Sequence, residues 1–105
     1  MQTTIYVAGP ISNMPNLNKK AFAKTTKKLR KHGFIVFNPH ELCKGIPAKK
    51  WKKCMRICIK KLMDADMVVL LDGWDKSRGA SIENNLATAI GIPCILVAEI
   101  LEVFG

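Results

Sequence analysis

The sequence predicts a single α/β domain in which a parallel sheet of four to five strands is flanked by helices. Short runs rich in β-branched residues alternate with longer segments whose apolar residues recur at helical spacing. This alternation is typical of a parallel sheet built with right-handed crossover connections. Because 105 residues allow one compact core, we expect one domain over residues 1–105.

The first half of the chain predicts two strands with a helix between them. Residues 3–8 are β-branched and aromatic and end at a Gly-Pro pair, so we expect the first strand there. From Asn18, a candidate N-cap, apolar residues recur at helical spacing as far as Gly33, which indicates the first helix. Residues 34–37 predict a second strand, and we expect a loop from its end to about residue 48.

The second half predicts the remaining elements of the same pattern. Residues 49–64 form an amphipathic helix with lysines on its outer face, and residues 67–71 are nearly all apolar, as in a central parallel strand. A third helix begins at residues 77–80 and closes at Gly91. Its expected core-facing residues are Ile82, Leu86, Ala89 and Ile90. Residues 94–98 make the fourth strand, and 99–104 a short final helix.

Composition and charge limit the class of protein. Hydrophobic residues make up 49% of the chain, and the formal net charge is +9, with fifteen of the seventeen Lys and Arg residues between Lys19 and Lys61. One interpretation is nucleic-acid binding through phosphate neutralisation; the other is two helices with solvated lysine faces. The basic segments lack interleaved aromatic residues and a helix-turn-helix pattern, so nucleic acid is not the partner we expect. Either interpretation favours anionic substrates.

The sequence also gives expectations about location, membranes and metals. No apolar run approaches the roughly 20 residues of a membrane span, so we expect no membrane partner. The chain opens into a strand pattern without a secretory signal, which predicts a cytoplasmic protein, in the host cytoplasm if a phage encodes it. Four irregularly spaced cysteines favour reduced thiols. Cys54, Cys58 and Cys94 with two histidines do not match structural zinc spacing, so we predict no metal and no cofactor.

Two glycine-bearing turns, each after a predicted strand, indicate a nucleotide pocket. In an open α/β sheet, ligands bind where the strands end, so both turns would face one crevice. The helix that follows the second turn offers backbone N–H groups at Gly79, Ala80 and Ser81, which suit a phosphate. The candidate binding residues are Gly9, Pro10, Ile11, Ser12, Asn13, Trp74, Ser77, Arg78, Gly79 and Ala80.

Structural roles for some of these residues remain open. Ser77 could be a helix N-cap, and Glu83 an exposed helix residue. Trp74 could stack on a nucleobase or pack against a neighbouring subunit. The loop at residues 13–16 could cover the base or be an ordinary solvent loop.

Three motifs resemble the nucleoside 2-deoxyribosyltransferase superfamily. They are Tyr6-x-x-Gly9-Pro10, Ala65-Asp66 before an apolar strand, and Gly79-x-x-x-Glu83. The resemblance covers nearly the whole chain and is closest to short members found in bacteria and bacteriophages. It implies a Rossmann- or flavodoxin-like sheet and a homodimer or larger homo-oligomer. The apolar C-terminus (Ile100, Leu101, Val103 and Phe104) would suit such an interface.

The resemblance also implies roles for individual residues. Glu83 matches the nucleophile that attacks the sugar C1′, and Tyr6 matches the tyrosine that holds this carboxylate in place. The chemistry is retaining glycosyl transfer through a covalent sugar-enzyme intermediate. Deoxyribosyltransferases usually have an acidic residue where Ser77 stands, whereas deoxynucleoside 5′-monophosphate N-glycosidases use a serine, so Ser77 favours a 5′-phosphate. The expected function is therefore N-glycosidase or deoxyribosyltransferase-like cleavage of a (deoxy)nucleoside 5′-monophosphate.

One position departs from the family pattern. Members commonly have an aspartate eight residues before the aspartate of the Ala-Asp dipeptide, where it binds substrate and handles a proton at the departing base. Here that position is Cys58, and loss of a general acid typically costs about 10²- to 10⁴-fold in rate. The alternative is therefore a nucleotide-binding protein that sequesters or senses its ligand without cleaving it.

Overall fold

A parallel sheet of four strands organises residues 2–104, which the computed structural model describes. The strands are β1 (Thr4–Ala8), β2 (Ile35–Phe37), β3 (Met67–Leu70) and β4 (Cys94–Leu96). The helices are α1 (Lys19–Lys31), α2 (Pro39–Leu42), α3 (Trp51–Leu62), α4 (Arg78–Ala89) and α5 (Val97–Phe104). The strand order is β2-β1-β3-β4 with every pair parallel, which confirms the predicted α/β fold class.

Alternation along β1 divides the core into two layers. Ile5 and Val7 face one side of the sheet, where they pack in one apolar cluster with residues of α1 and α5. Tyr6 and Ala8 face the other side, in a cluster with residues of α3 and α4. All four strand residues are fully buried. Successive side chains of a strand point to opposite faces, so Tyr6 necessarily reaches the layer that contains α4.

The carboxyl ends of β1 and β3 meet closely. The Leu71 backbone N–H donates to the Ala8 carbonyl at 2.8 Å. A Cβ atom placed on Gly9 would lie 2.8 Å from the Leu71 Cβ, so glycine is required by close approach at this point. The strand order within the sheet places β1 between β2 and β3, so the connections after β1 and β3 leave this edge in opposite directions and open a crevice there.

The expected loop after β2 contains a short helix. The Asn38 side chain accepts from the His40 backbone N–H at 2.9 Å, and Pro39 occupies the first turn of α2. An Asn cap followed by proline is a helix start, whereas the sequence interpretation treated this pair as a strand end. Arg30 of α1 donates to both carboxylate oxygens of Glu41, at 2.9 and 2.6 Å, and so holds α2 against the end of α1.

The register of α4 differs from the prediction. The helix buries Ala80, Glu83 and Ala87, whereas Ile82 is 37% and Ile90 51% exposed. Of the four residues expected to face the core, Ala89 is also exposed and Leu86 packs partly against it. Small residues on the inner face let α4 approach its neighbours closely, and this register turns Glu83 inward.

The last helix begins earlier than expected, at Val97, because β4 ends at Leu96. Its apolar residues mostly pack within the chain. Ile100 is buried, and the Phe104 ring lies 5.2 Å from the Phe34 ring and 5.4 Å from the His32 ring, measured between centroids. Val103, at 74%, is the member of the expected interface that stays largely exposed. Within residues 2–104, no helix is long and apolar enough to cross a membrane.

Candidate active site

A cavity of about 710 Å³ lies at the carboxyl end of β1 and β3. Its walls come from the loop after β1, the segment between α2 and α3, the inner face of α3 and the start of α4. Ten of the thirteen predicted site residues line it: Gly9, Ile11, Ser12, Asn13, Cys58, Ser77, Arg78, Gly79, Ala80 and Glu83. The volume is within the range typical of small-molecule sites.

Glu83 and Tyr6 form the buried polar centre of this cavity. Glu83 is 5% exposed on the inner face of α4, and the hydroxyl of the fully buried Tyr6 donates a hydrogen bond to its carboxylate. Burial raises the pKa of Glu83 to about 7, although the Tyr6 hydrogen bond acts in the opposite direction. Burial and the nearby carboxylate raise the pKa of Tyr6 well above its usual range, so its hydroxyl remains a donor.

Cys58 of α3 lies beside this pair. It is 3% exposed, and burial raises the pKa of its thiol to about 11, while a hydrogen bond with Tyr6 lowers it and the Glu83 charge raises it. At neutral pH the side chain is therefore an uncharged thiol. Cys58 therefore supplies no charge to the cavity.

The N-terminus of α4 forms another wall, and its hydrogen bonding differs from the expectation. Ser77 is the N-cap: its Oγ accepts from the Ala80 N–H at 3.2 Å, and its carbonyl accepts from the Ser81 N–H at 2.9 Å. Two of the three N–H groups expected to be available to a phosphate are thus already used. The Gly79 N–H has no hydrogen-bond acceptor among residues 2–104. The Ser77 hydroxyl can still donate while it accepts.

Arg78 is held over an aromatic ring that the sequence analysis did not assign to the site. Its guanidinium carbon lies 4.7 Å from the centroid of the Trp51 ring, an arrangement that fixes the cation at the cavity wall. A Cβ atom on Gly79 would lie 3.2 Å from the Met55 Sδ, so α3 and α4 are closely packed here. Trp51, Met55 and Cys58 fall on one face of the amphipathic helix, and this spacing could have identified the wall.

Charges around the cavity are mostly positive. Glu83 is the one acidic residue among the lining residues of this cavity. The cationic members are Lys19, Lys44, Lys76 and Arg78. This distribution favours a ligand that carries negative charge.

The loop after β1 is fixed by polar contacts. The Asn18 side chain donates to the Pro10 carbonyl at 2.9 Å instead of capping α1, as the sequence had suggested. The Nε2 of His40 lies 2.9 Å from the Leu17 carbonyl, which can only accept, so this nitrogen bears the proton. Burial lowers the pKa of His40, which keeps the ring neutral. Asn13 has a left-handed backbone, with φ of 65°.

Three predicted site residues lie outside the cavity wall. Tyr6 stands behind Glu83, and Pro10 is next to Gly73, where an added Cβ would lie 3.4 Å from the Pro10 Cγ. Trp74 is half-buried against the apolar cluster around Tyr6. Aromatic surface at the cavity therefore comes from Trp51 rather than from Trp74.

The cysteines differ from the expected reduced set. Cys43, just after α2, and Cys54, on α3, form a disulfide with a Cα–Cα distance of 5.7 Å. Cys58 and Cys94 are free thiols. The expectation of four reduced thiols is therefore wrong for Cys43 and Cys54. Sequence spacing could not reveal their pairing because it depends on α2, the helix that was expected to be loop.

Comparisons with known proteins place this geometry in a family. A family model described as a domain of unknown function, DUF4406, matches residues 3–96. No curated protein matches the chain. Among solved structures, a 2-deoxyribosyltransferase from the psychrotolerant bacterium Bacillus psychrosaccharolyticus is similar, with 24% sequence identity and a TM-score of 0.70 over 90% of this chain and 71% of that chain. This structural likeness confirms the fold that the sequence resemblance implied.

Proposed function

This chain belongs to the DUF4406 family, and we propose that it cleaves the N-glycosidic bond of a (deoxy)nucleoside 5′-monophosphate through a covalent glutamyl-sugar intermediate. The proposal depends above all on one observation: Glu83, 5% exposed, reaches a 710 Å³ cavity while the Tyr6 hydroxyl donates to its carboxylate. A buried carboxylate fixed by a neutral donor is oriented for attack on an atom bound in the cavity.

The reaction requires two displacements at the sugar. The Glu83 carboxylate would form a bond to C1′ as the electron pair of the C–N bond leaves with the base, which takes up a proton. Water, or a second base, would then attack C1′ and release the carboxylate. Tyr6 would hold the carboxylate in one orientation through both steps, since its phenol is fixed by complete burial on β1.

The start of α4 would bind the 5′-phosphate. The Gly79 N–H, the Ser77 hydroxyl and the Arg78 guanidinium lie at the same wall as Glu83, one helical turn away from it. A helix N-terminus with an adjacent arginine suits a dianion, whereas a free 5′-hydroxyl would use neither the dipole nor the cation. The surplus of cations among the lining residues favours the same choice.

A second candidate function is nucleotide binding without turnover, which is favoured by the neutral thiol of Cys58. Its pKa of about 11 leaves a neutral thiol where a charged or proton-donating carboxyl would assist the departing base. The same cavity and phosphate contacts would then serve to sequester or sense a nucleotide.

The deciding experiment incubates the protein with deoxynucleoside 5′-monophosphates and with the corresponding nucleosides, and follows base release by chromatography. Glu83→Ala is the test variant, and Glu102→Ala, on the exposed side of α5, is its matched control. Release from monophosphates that Glu83→Ala loses and Glu102→Ala keeps would support the enzyme. No release with saturable nucleotide binding by calorimetry would support the second candidate, and neither release nor binding would refute both.

The proposed covalent intermediate can be tested separately, by base exchange and by mass spectrometry. A labelled free base added to the reaction should appear in nucleotide product if Glu83 retains the sugar long enough for a second base to attack. Intact mass spectrometry of the quenched enzyme should show an added sugar phosphate in wild type and none in Glu83→Ala. A reaction with base release but no adduct and no exchange would contradict the intermediate.

A further inference from the structure

Three sulfur atoms from two segments of the chain converge at the cavity wall. The Sγ atoms of Cys43, Cys54 and Cys58 all lie within 4.8 Å of one another, and the Cys43 and Cys58 sulfurs are 3.6 Å apart. Cys54 and Cys58 are four residues apart on α3, so their side chains share one helix face. Cys43 reaches the same point from the end of α2.

We propose that the reduced form of this chain binds one thiophilic metal ion, Zn²⁺, through Cys43, Cys54 and Cys58. In a tetrahedral thiolate site with Zn–S bonds of about 2.3 Å, neighbouring sulfurs lie roughly 3.8 Å apart. The separation between Cys43 and Cys58 already matches that value. Once the disulfide is reduced, the Cys43 and Cys54 sulfurs would take up the same separation of roughly 3.8 Å around the metal.

The chemistry of the donor set selects the class of metal. Thiolates are soft ligands that prefer zinc or copper(I) over magnesium or calcium. Three protein ligands leave a fourth position, and since all three cysteines line the cavity, that position would face it. The expectation that no metal binds was argued from Cys54 and Cys58 with Cys94, whereas the fold puts Cys43 in the place of Cys94.

Cys94 lies apart from this cluster. Its sulfur is 3.8 Å from the Thr88 hydroxyl and contacts the carbonyls of Asn84 and Ile92. It therefore serves as a matched control, because it is the other free cysteine of the described chain and has no part in the proposed site.

The metal-free disulfide and the metal-bound form are related by a balanced reaction. A dithiol reductant would give two electrons and two protons to the Cys43–Cys54 bond, yielding two thiols, and would itself become a disulfide. Zn²⁺ would then displace one proton from each of the three thiols. Metal binding should therefore require prior reduction and weaken as the pH falls.

The experiment titrates the full chain with Co²⁺ as a spectroscopic probe, followed by competition with Zn²⁺. Reduced wild type and reduced Cys94→Ser should each bind one ion with thiolate-to-cobalt charge-transfer bands, and the oxidised protein should bind none. Cys43→Ser and Cys58→Ser should lose affinity by more than the roughly 10- to 100-fold that loss of an outer ligand partner costs. Absence of binding to reduced wild type, or equal binding by Cys43→Ser, would overturn the proposal.

A measurement on wild type alone covers the case in which a variant fails to fold. Zn²⁺ added to reduced protein should slow alkylation of Cys43 and Cys54, mapped by mass spectrometry, and leave Cys94 unaffected. Equal alkylation of Cys43 with and without Zn²⁺ would refute the site. Because neither the metal titration nor the alkylation measurement uses nucleotide, a negative result in either one is distinguishable from failure of the proposed function.

Discussion

Replacing Glu83 by Gln should stabilise the protein above pH 7 while it removes the proposed nucleophile. Glu83 is 5% exposed, and burial raises its pKa from the ordinary value of 4.5 to about 7. The folded state therefore binds a proton more tightly than the unfolded state does. Glutamine keeps an oxygen that can accept from Tyr6 but never has to bear a charge in this buried position.

The size and sign of the effect follow from linkage. Between pH 4.5 and 7 the folded chain retains a proton on Glu83 that the unfolded chain has lost, so the contribution of this group to stability falls as the pH rises. The gap between the two pKa values, at about 1.4 kcal/mol per pKa unit, corresponds to about 3 kcal/mol. This penalty is absent below pH 4.5 and complete above pH 7. Glu83→Gln should avoid it.

The assay is urea unfolding of wild type and Glu83→Gln at pH 4.5 and at pH 8. The difference in unfolding free energy between the two proteins should grow by about 3 kcal/mol from the lower to the higher pH. Glu102→Gln, an exposed change of the same chemistry on α5, controls for the loss of a negative charge. If Glu83→Gln gains no more than Glu102→Gln at pH 8, Glu83 is not the buried, proton-retaining group described here.

Three further changes test other parts of the structure. Tyr6→Phe removes the hydrogen bond that lowers the pKa of Glu83, so this pKa should rise above about 7. The titration can be followed by carbon NMR of the Glu83 carboxyl, and a lower pKa in the variant would contradict the Tyr6 hydroxyl as donor. Gly9→Ala places a Cβ 2.8 Å from the Leu71 Cβ and should cost about 1–3 kcal/mol of unfolding free energy, and an unchanged urea midpoint would refute the close contact. Thr26→Val replaces a buried hydroxyl that has no hydrogen-bond partner among residues 2–104, and it should raise the unfolding free energy by about 1 kcal/mol. A fall in the unfolding free energy of more than that would show that the hydroxyl is bonded.

Most of the fold could be predicted because the sheet follows local sequence patterns. β1 and β3 are short apolar runs ended by glycine-bearing turns, and the structure places the two strands side by side. One error arose where the same residue pair is compatible with two local structures. Asn38-Pro39 ends a strand and also starts a helix, so α2 was missed.

The prediction of which α4 residues face the core was wrong for a different reason. Isoleucine is more hydrophobic than alanine, yet α4 buries Ala80 and Ala87, whereas Ile82 and Ile90 are exposed. The small alanine side chains let α4 lie close to the sheet and to α3, which isoleucines at the same positions would prevent. Hydrophobic periodicity measures how apolar each face is, not how near a neighbouring element must come. The buried position of Glu83 could therefore be inferred from the family resemblance but not from the helical pattern.

The remaining parts of the site depend on contacts between distant segments. Trp51 under Arg78, and Cys43 beside Cys58, join residues 27 and 15 positions apart whose proximity no local spacing encodes. The helical spacing of Trp51, Met55 and Cys58 indicated a shared face of α3 but not which segments that face contacts. Cys58 of α3 was assigned to the site through the family resemblance, whereas Trp51 and Cys43 were missed because each reaches the site through a contact with a distant segment.

The burial that makes Glu83 a candidate nucleophile also makes the folded chain less stable at neutral pH. An apolar residue on the inner face of α4 would pack against Tyr6 without the desolvation penalty of about 3 kcal/mol, and an exposed glutamate would not incur it. Marginal stability makes a penalty of this size a large fraction of the total. This chain keeps the desolvation penalty of Glu83 and directs the Tyr6 hydroxyl at its carboxylate, so this part of the fold favours the position of the carboxylate over core packing. Glu83→Gln should therefore raise the stability of the protein and lower its activity.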